Sequence, residues 1–188
     1  MRALFVICSV LSSLSLLAQP IETANELFNK GNYTKAIAVY KTVDDLSTVY
    51  DDMAKAYNAI GNYGLALEFY QKAIERHPED LLLKYQYAKL LAKTKSYDEA
   101  VVGFQDLIAT DSLNPNYPYE LGLVLEKQND STAYKAFVKT LKLDSTHQKA
   151  IFKVARRCIV KREFKKAHQL IDMGLQGYAD NVDLTSLK

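Results

Sequence analysis

Three histidines are all the imidazoles this chain has, and His77, His147 and His168 each stand without a second His or Cys at helical spacing. A metal site needs ligands that converge, so no metal is expected. Cysteine is scarcer still, with Cys8 and Cys158 alone. Loss of an N-terminal leader would leave Cys158 single, which excludes an internal disulfide and leaves buried filler or an intermolecular disulfide as its readings. No Gly-rich phosphate loop is present, Ser and Thr are concentrated in turn segments, and no His stands near Cys158 in sequence. The acids Asp44, Asp45, Asp51 and Asp52 lack the alternating oxygen ligands and Gly of a calcium loop, and read as a capping and solvating patch. Neither catalytic residues nor cofactors are therefore expected. Four prolines and no strand-like alternation point to an all-helical chain.

Charge of one sign is also missing, since the formal net charge is +2, and the total implies no nucleic-acid partner. The distribution is uneven. Between His147 and His168 eight Lys or Arg residues face the single acid Glu163. Such a run is either a solvated helix face or a docking patch for an anionic partner.

One long apolar run exists, at the N-terminus. Arg2 precedes the stretch from Ala3 to Ala18, which ends in a small residue before Gln19-Pro20. This fits a secretory signal peptide over residues 1–18 cut after Ala18, with an uncleaved anchor as the alternative because Leu16 is large for its place. Cleavage predicts an exported, periplasmic or secreted bacterial protein without a transmembrane segment.

The rest of the chain repeats. "GNYGLALEFYQKAIERHP", Gly61 to Pro78, returns 34 residues later as "KSYDEAVVGFQDLI", so that Tyr63, Ala66 and Tyr70 correspond to Tyr97, Ala100 and Phe104. "GNYTKAIAVYKTV" and "REFKKAHQLIDMGL" keep the same order, and "NDSTAYKAFVKTL" fits if one turn residue before Ala133 is missing. A matching segment precedes each block, clearest in "VYDDMAKAYNAIGNY". These residues resemble the tetratricopeptide repeat, whose pattern runs Trp-x2-Leu-Gly-x2-Tyr, then Ala-x3-Phe, then Pro. Tyr50 stands at the Trp position, Met53-Ala54 at Leu-Gly, and Tyr57, Ala66, Tyr70, Ala73 and Pro78 follow in register; Leu121-Gly122 keeps the literal pair. Ser112 and Ser145 stand where Pro is expected, and the first copy is about four residues short after Val43.

The resemblance implies an all-α, right-handed superhelical solenoid of about five helix-turn-helix repeats. The copies span 20–46, 47–80, 81–114, 115–147 and 148–181, with 182–188 left as a tail. It also implies a concave groove lined by the first helix of each pair. Tyr85, Tyr119 and Phe152 form an aromatic row there, with Asp51 at the same register, and Lys55, Lys89, Leu123 and Arg156 follow one turn later. Gln86, Lys93, Glu120 and Lys153 flank them. Flat aromatics beside cations suit a peptide or protein with acidic groups; the carboxylate clamp of the chaperone-binding subgroup is not supported, because Asp51, Tyr85 and Tyr119 stand where its Lys belongs.

The expected function is a non-catalytic scaffold or adaptor in an envelope or secretion assembly. Two alternatives stay open. One is a structural subunit that self-associates through its ends, since Leu170, Met173 and Leu175 of the last repeat either finish the stack or dock on another copy. The other is a binder of anionic glycan or lipid surfaces through the basic run. Asp-Ser-Leu at Asp111 and Asp-Ser-Thr at Asp130 and Asp144 read either as helix caps and Asx-turns or as short O-glycosylation sites.

Overall fold

The computed structural model describes residues 19–177 and 181–187, so the leader expected over residues 1–18 lies outside the described residues. Within them every regular element is helical, and no helix is long and apolar enough to cross a membrane. The chain divides into two compact units, one ending at Leu90 and the other beginning at Leu91.

The first unit holds α1 (19–29), α2 (Tyr33–Tyr40), a 3-10 turn (Leu46–Val49), α3 (Tyr50–Ala59), α4 (Tyr63–Arg76) and the part of α5 (Leu81–Lys93) up to Leu90. Small residues let its helices approach closely. Ala24, Ala36, Ala54 and Ala66 are fully buried, and Tyr40, Met53 and Tyr70 fill the space between them. The ring of Phe69 stacks on Tyr57 at 5.5 Å and tilts against Tyr50 at 5.9 Å, so α4 closes over α3. The shortness expected of the first copy lies in α2, which has 8 residues against 14 in α4. The chain leaves it through a turn in which Asp45 accepts from the Ser47 N–H and hydroxyl, at 3.0 and 2.6 Å.

The second unit continues through α6 (Tyr97–Thr110), α7 (Asn116–Lys127), α8 (Ala133–Leu143), α9 (Gln148–Val160), α10 (Phe164–Gly177) and α11 (Val182–Thr185), each helix from α6 onward packing on the next. Gly122 lies directly against Phe137, where an added Cβ would come within 2.6 Å of the ring. Residues 182–187, within the segment expected as a C-terminal tail, pack back on the preceding helices. Leu184 is fully buried and reaches the gap that Gly174 leaves beside Ile151. Asn181 fixes this turn by accepting from the Leu184 N–H (3.1 Å) and donating to Gln148 Oε1 on α9 (3.0 Å). One leucine suffices because the glycine opposite it supplies the space.

All the turns that close a first helix use one device. Gly31, Gly61, Lys95, Asn129 and Arg162 take positive φ, between 58° and 78°. The next N–H then reaches back five residues: Asn32 to Leu27, Asn62 to Tyr57, Ser96 to Leu91, Asp130 to Leu125 and Glu163 to Cys158, each at 2.8 or 2.9 Å. This satisfies helix-end carbonyls and reverses the chain. Asx-turns serve the other connections, at Asp80, Asp111 and Asp144, and Asp130 adds one to the α7–α8 turn. Asp80, Asp111, Asp130 and Asp144 accept the N–H two residues on, at 2.7 to 3.1 Å, so all three Asp-Ser-x triplets are built into turns.

Two predictions follow from this packing. Gly64 has open space around its Cα, so Gly64→Ala should raise stability by about 0.5–1 kcal/mol through helix propensity, whereas Gly122→Ala should lower it by about 1–3 kcal/mol by displacing Phe137; denaturant midpoints of the two variants check both signs. The Asp144 carboxyl is held below its usual range, chiefly by the Thr146 hydroxyl, with burial opposing and the Thr146 N–H and the charge of His147 assisting. A depressed carboxyl contributes stability that is present above its unfolded pKa and lost as pH falls through its folded one. Asp144→Ala should therefore lower Tm at neutral pH, by an amount that shrinks as pH falls through the folded pKa of this carboxyl, as followed by thermal unfolding across pH.

Candidate partner-binding faces

In the first unit the exposed face of α3 begins with two carboxylates in the first helical turn, Asp51 and Asp52, followed one turn later by Lys55. Lys55 Nζ lies 2.5 Å from Asp51 Oδ2 and 3.9 Å from Asp52 Oδ1. The expected basic row does not include a disengaged Lys55, because an acid four residues earlier on the same face takes its charge. The expectation that these acids form only a capping and solvating patch is also corrected. Asp45 does cap a turn, but Asp51 and Asp52 are half-buried, and among the described residues Asp51 Oδ1 and Asn58 Oδ1 are buried without a hydrogen-bond partner.

Two buried phenols border this group. Tyr40 donates to Asn25 Oδ1 at 2.5 Å, and Tyr70 donates to Gln86 Oε1 at 2.7 Å. Burial pushes the Tyr40 phenol up to about 12, with the negative charges of Asp52 and Asp51 adding to the shift. Tyr70 is pushed up further by the same two causes, burial first and Asp51 second. Both phenols stay neutral and serve as donors. Burial likewise raises the Asp52 carboxyl, with Lys55 opposing and Asp51 reinforcing. On α5, Tyr85 is half-buried and the ammonium of the exposed Lys89 lies 5.2 Å from its ring centroid, within cation–π range. Gln86 is turned toward Tyr70, so the carbonyl end of its amide is engaged with α4.

In the second unit, Lys93 is exposed at the end of α5. Tyr119 is half-buried on α7, with its ring 4.7 Å from His147 and 5.8 Å from Phe137. Burial raises its phenol, and Glu120 and Glu126 raise it further. Glu120 and Phe152 are half-buried on their first helices. Lys153 points back toward the preceding pair: its Nζ lies 2.5 Å from Glu126 Oε2 and 5.7 Å from the Phe137 ring centroid. Its charge is thereby taken up between helices. Arg156 is exposed and forms no ion pair among the described residues. The buried Cys158 thiol is raised first by burial, as suits a packing residue.

The sequence placed the aromatic and basic residues on first helices, but did not identify Asn25, Tyr40, Asp52, Tyr70, Asn58, Glu126 or His147 as their neighbours. For Asp52 a signal existed, an acid three residues before the predicted groove residue Lys55; Glu126 carried none, because its partner Lys153 lies 27 residues away on another helix. Tyr40 and Tyr70 carried no signal beyond packing, since their hydroxyl partners lie on other helices.

Helix hairpins closed by a left-handed residue, with small residues where helices touch, recur through both units. Residues 57–117 match the family described as tetratricopeptide repeat. The fold is a tetratricopeptide repeat fold. Among solved structures it is similar to MamA 41-end from Desulfovibrio magneticus RS-1, at TM-score 0.74 and 17% identity over 88% of this chain and 97% of that one. It is also similar to YrrB, a TPR protein with an unusual peptide-binding site, at TM-score 0.68 and 20% identity over 89% of each chain. A curated relative, the tetratricopeptide repeat and J domain-containing co-chaperone DNJ1 of Cryptococcus neoformans, is 26% identical over 126 residues. That match covers 65% of this chain and spans 24% of the relative's length. These tetratricopeptide likenesses bear on fold; they carry no partner with them.

The half-buried Asp52 carboxyl on α3 gives a test of the geometry. A group whose pKa is raised on folding binds its proton more tightly in the native state, so its contribution to stability falls as pH rises through its folded value. Asp52→Asn should raise Tm at neutral pH, and the gain should vanish on acidification below the carboxylate range, as followed by thermal unfolding across pH.

Proposed function

We propose that this chain is a non-catalytic protein-binding scaffold that takes peptide segments with acidic groups on the first-helix faces of its repeats. The observation that carries the reading is the pairing of Phe152 with Arg156. A half-buried aromatic offers flat contact area, and one turn further along the same helix an exposed guanidinium stands with no ion pair among the described residues. Tyr85 and Lys89 repeat the arrangement on α5, with the ammonium over the ring. A planar, always charged guanidinium favours carboxylates with bidentate geometry, and aromatic neighbours lower the entropic cost of contact. Lys55 and Lys153 add little to this selection because their charges are already met by Asp51 and Glu126.

The apolar leader over residues 1–18 supports an exported location, and an envelope or secretion assembly is the setting proposed for the scaffold. Self-association through the C-terminal repeat stands as the alternative, since Leu184 covers Gly174 but Met173 of the same helix stays exposed.

The reading is tested with an array of short extended peptides graded in acidic content, probed by the wild-type chain and by Arg156→Glu and Lys89→Glu variants. Retention should increase with the number of acidic residues, and Arg156→Glu should weaken the best sequences about tenfold, roughly 1.4 kcal/mol. Equal retention of acidic and neutral peptides, or an Arg156→Glu variant that binds like wild type, overturns it.

A further inference from the structure

The turn between α9 and α10 differs from every other turn of its kind in this chain. Residues 160–166, "VKREFKK", are all exposed. Two of them are apolar, Val160 at 69% and Phe164 at 62% exposure. The other five are Lys161, Arg162, Lys165 and Lys166 against the single acid Glu163. Glu163 is approached by Lys166 at 3.9 Å, and Lys166 Nζ also donates to Tyr134 Oη. Lys161, Arg162 and Lys165 form no ion pair among the described residues.

Register makes the comparison strict. Two residues after the positive-φ position the other copies have Tyr33, Tyr63 and Tyr97, all half-buried, and Ser131. Two residues before it they have Asn29, Ala59, Lys93 and Lys127. Only after Arg162 do a bare phenyl ring and a valine occupy both places, and only there are they set among four cations. The first turn is also cationic, through Lys30 and Lys35, but its Tyr33 ring packs on Phe28 at 5.1 Å.

Three amides of the tip are closed on the end of α9. Lys161, Arg162 and Glu163 donate their N–H groups to Arg157, Ile159 and Cys158 carbonyls at 2.8 to 3.0 Å. Those three amides can enter a poorly hydrated interface without being stranded. Two apolar side chains projecting from the tip, ringed by cations, match what a membrane interface rewards: shallow burial of apolar groups, with lysine and arginine in the headgroup layer.

From these observations we propose that the α9–α10 turn is a peripheral docking point for an anionic lipid surface, with Phe164 and Val160 entering the interface and Lys161, Arg162 and Lys165 meeting lipid phosphates. A single exposed apolar residue such as Leu113 needs no such account. A polyanion without an apolar phase uses the cations and leaves Phe164 and Val160 in water. The proposal is independent of peptide binding at Phe152 and Arg156.

The chain contains no tryptophan, so Phe164→Trp creates a single-fluorophore reporter at the tip, and Tyr97→Trp places a control at the same register of another turn. Both full-length variants are mixed with vesicles of phosphatidylcholine alone and of equimolar phosphatidylcholine and phosphatidylglycerol. The tip reporter should shift to the blue and be quenched by brominated acyl chains only with the anionic vesicles; the Tyr97→Trp control should do neither. In a wild-type background, Phe164→Ser and Lys161→Glu/Arg162→Glu should each lower vesicle partitioning at least about tenfold, and raised salt should weaken the wild type. Circular dichroism confirms that each variant is folded. Absence of the tip shift, equal shifts with neutral vesicles, or wild-type partitioning of folded Phe164→Ser overturns the proposal. Tight binding to heparin that Phe164→Ser leaves unchanged, with no vesicle binding, assigns the turn to a soluble polyanion and equally overturns it.

Discussion

The close approach of helices at small residues is the constraint on which the rest of this structure depends. Ala54, Gly122 and Ala155 are buried on first helices, and Ala66, Ala100 and Ala167 on second helices. Where Gly122 meets Phe137 there is no room for a methyl group, so the ring is seated by the lack of a side chain opposite it. The same logic ends the chain, where Gly174 makes the space that Leu184 fills. Repeats of this kind cannot bury an apolar face alone, and the cavity left by one residue type becomes the socket for another.

That constraint dictates which side chains remain for contact with partners. Once the small and aromatic residues of each pair are committed to packing, the outer faces of the first helices keep a short list of polar and half-buried groups. Their charges are then partly consumed within the protein. Asp51 takes Lys55 along one helix, while Glu126 draws Lys153 back toward the preceding one. The cations that stay exposed are fewer than the count along the chain suggests. The basic run between His147 and His168 is similarly divided: Lys153 and Lys166 have partners, and Arg157 lies 5.9 Å over the Tyr134 ring. The remainder includes Arg156 and the cations at the α9–α10 tip.

Much of the fold was legible beforehand because repetition multiplies a weak signal. No single Ala or Tyr identifies a helix hairpin, but their return at a fixed interval aligns five segments and locates the turns. Gly31, Gly61 and Asn129 announce left-handed turn positions by residue type. Lys95 and Arg162 do not, and only register assigns them that conformation. The shortness of the first copy was visible as missing residues. The one-turn helix at Val182–Thr185 was not, since Val182, Leu184 and Leu187 in so short a segment show no sustained periodicity.

The sequence by itself determined the all-helical class, the interval of the repeats, and the candidate aromatic and basic positions. These are one-dimensional properties, carried by spacing and composition. Only the tertiary structure decided that Lys153 is engaged by Glu126 27 residues earlier, that Tyr70 holds Gln86, and that Phe164 is left bare where Tyr33 and Tyr63 are half-covered. The physical reason is that pairing and burial depend on distances between helices. A linear pattern fixes which face a residue occupies, and it leaves open what stands opposite.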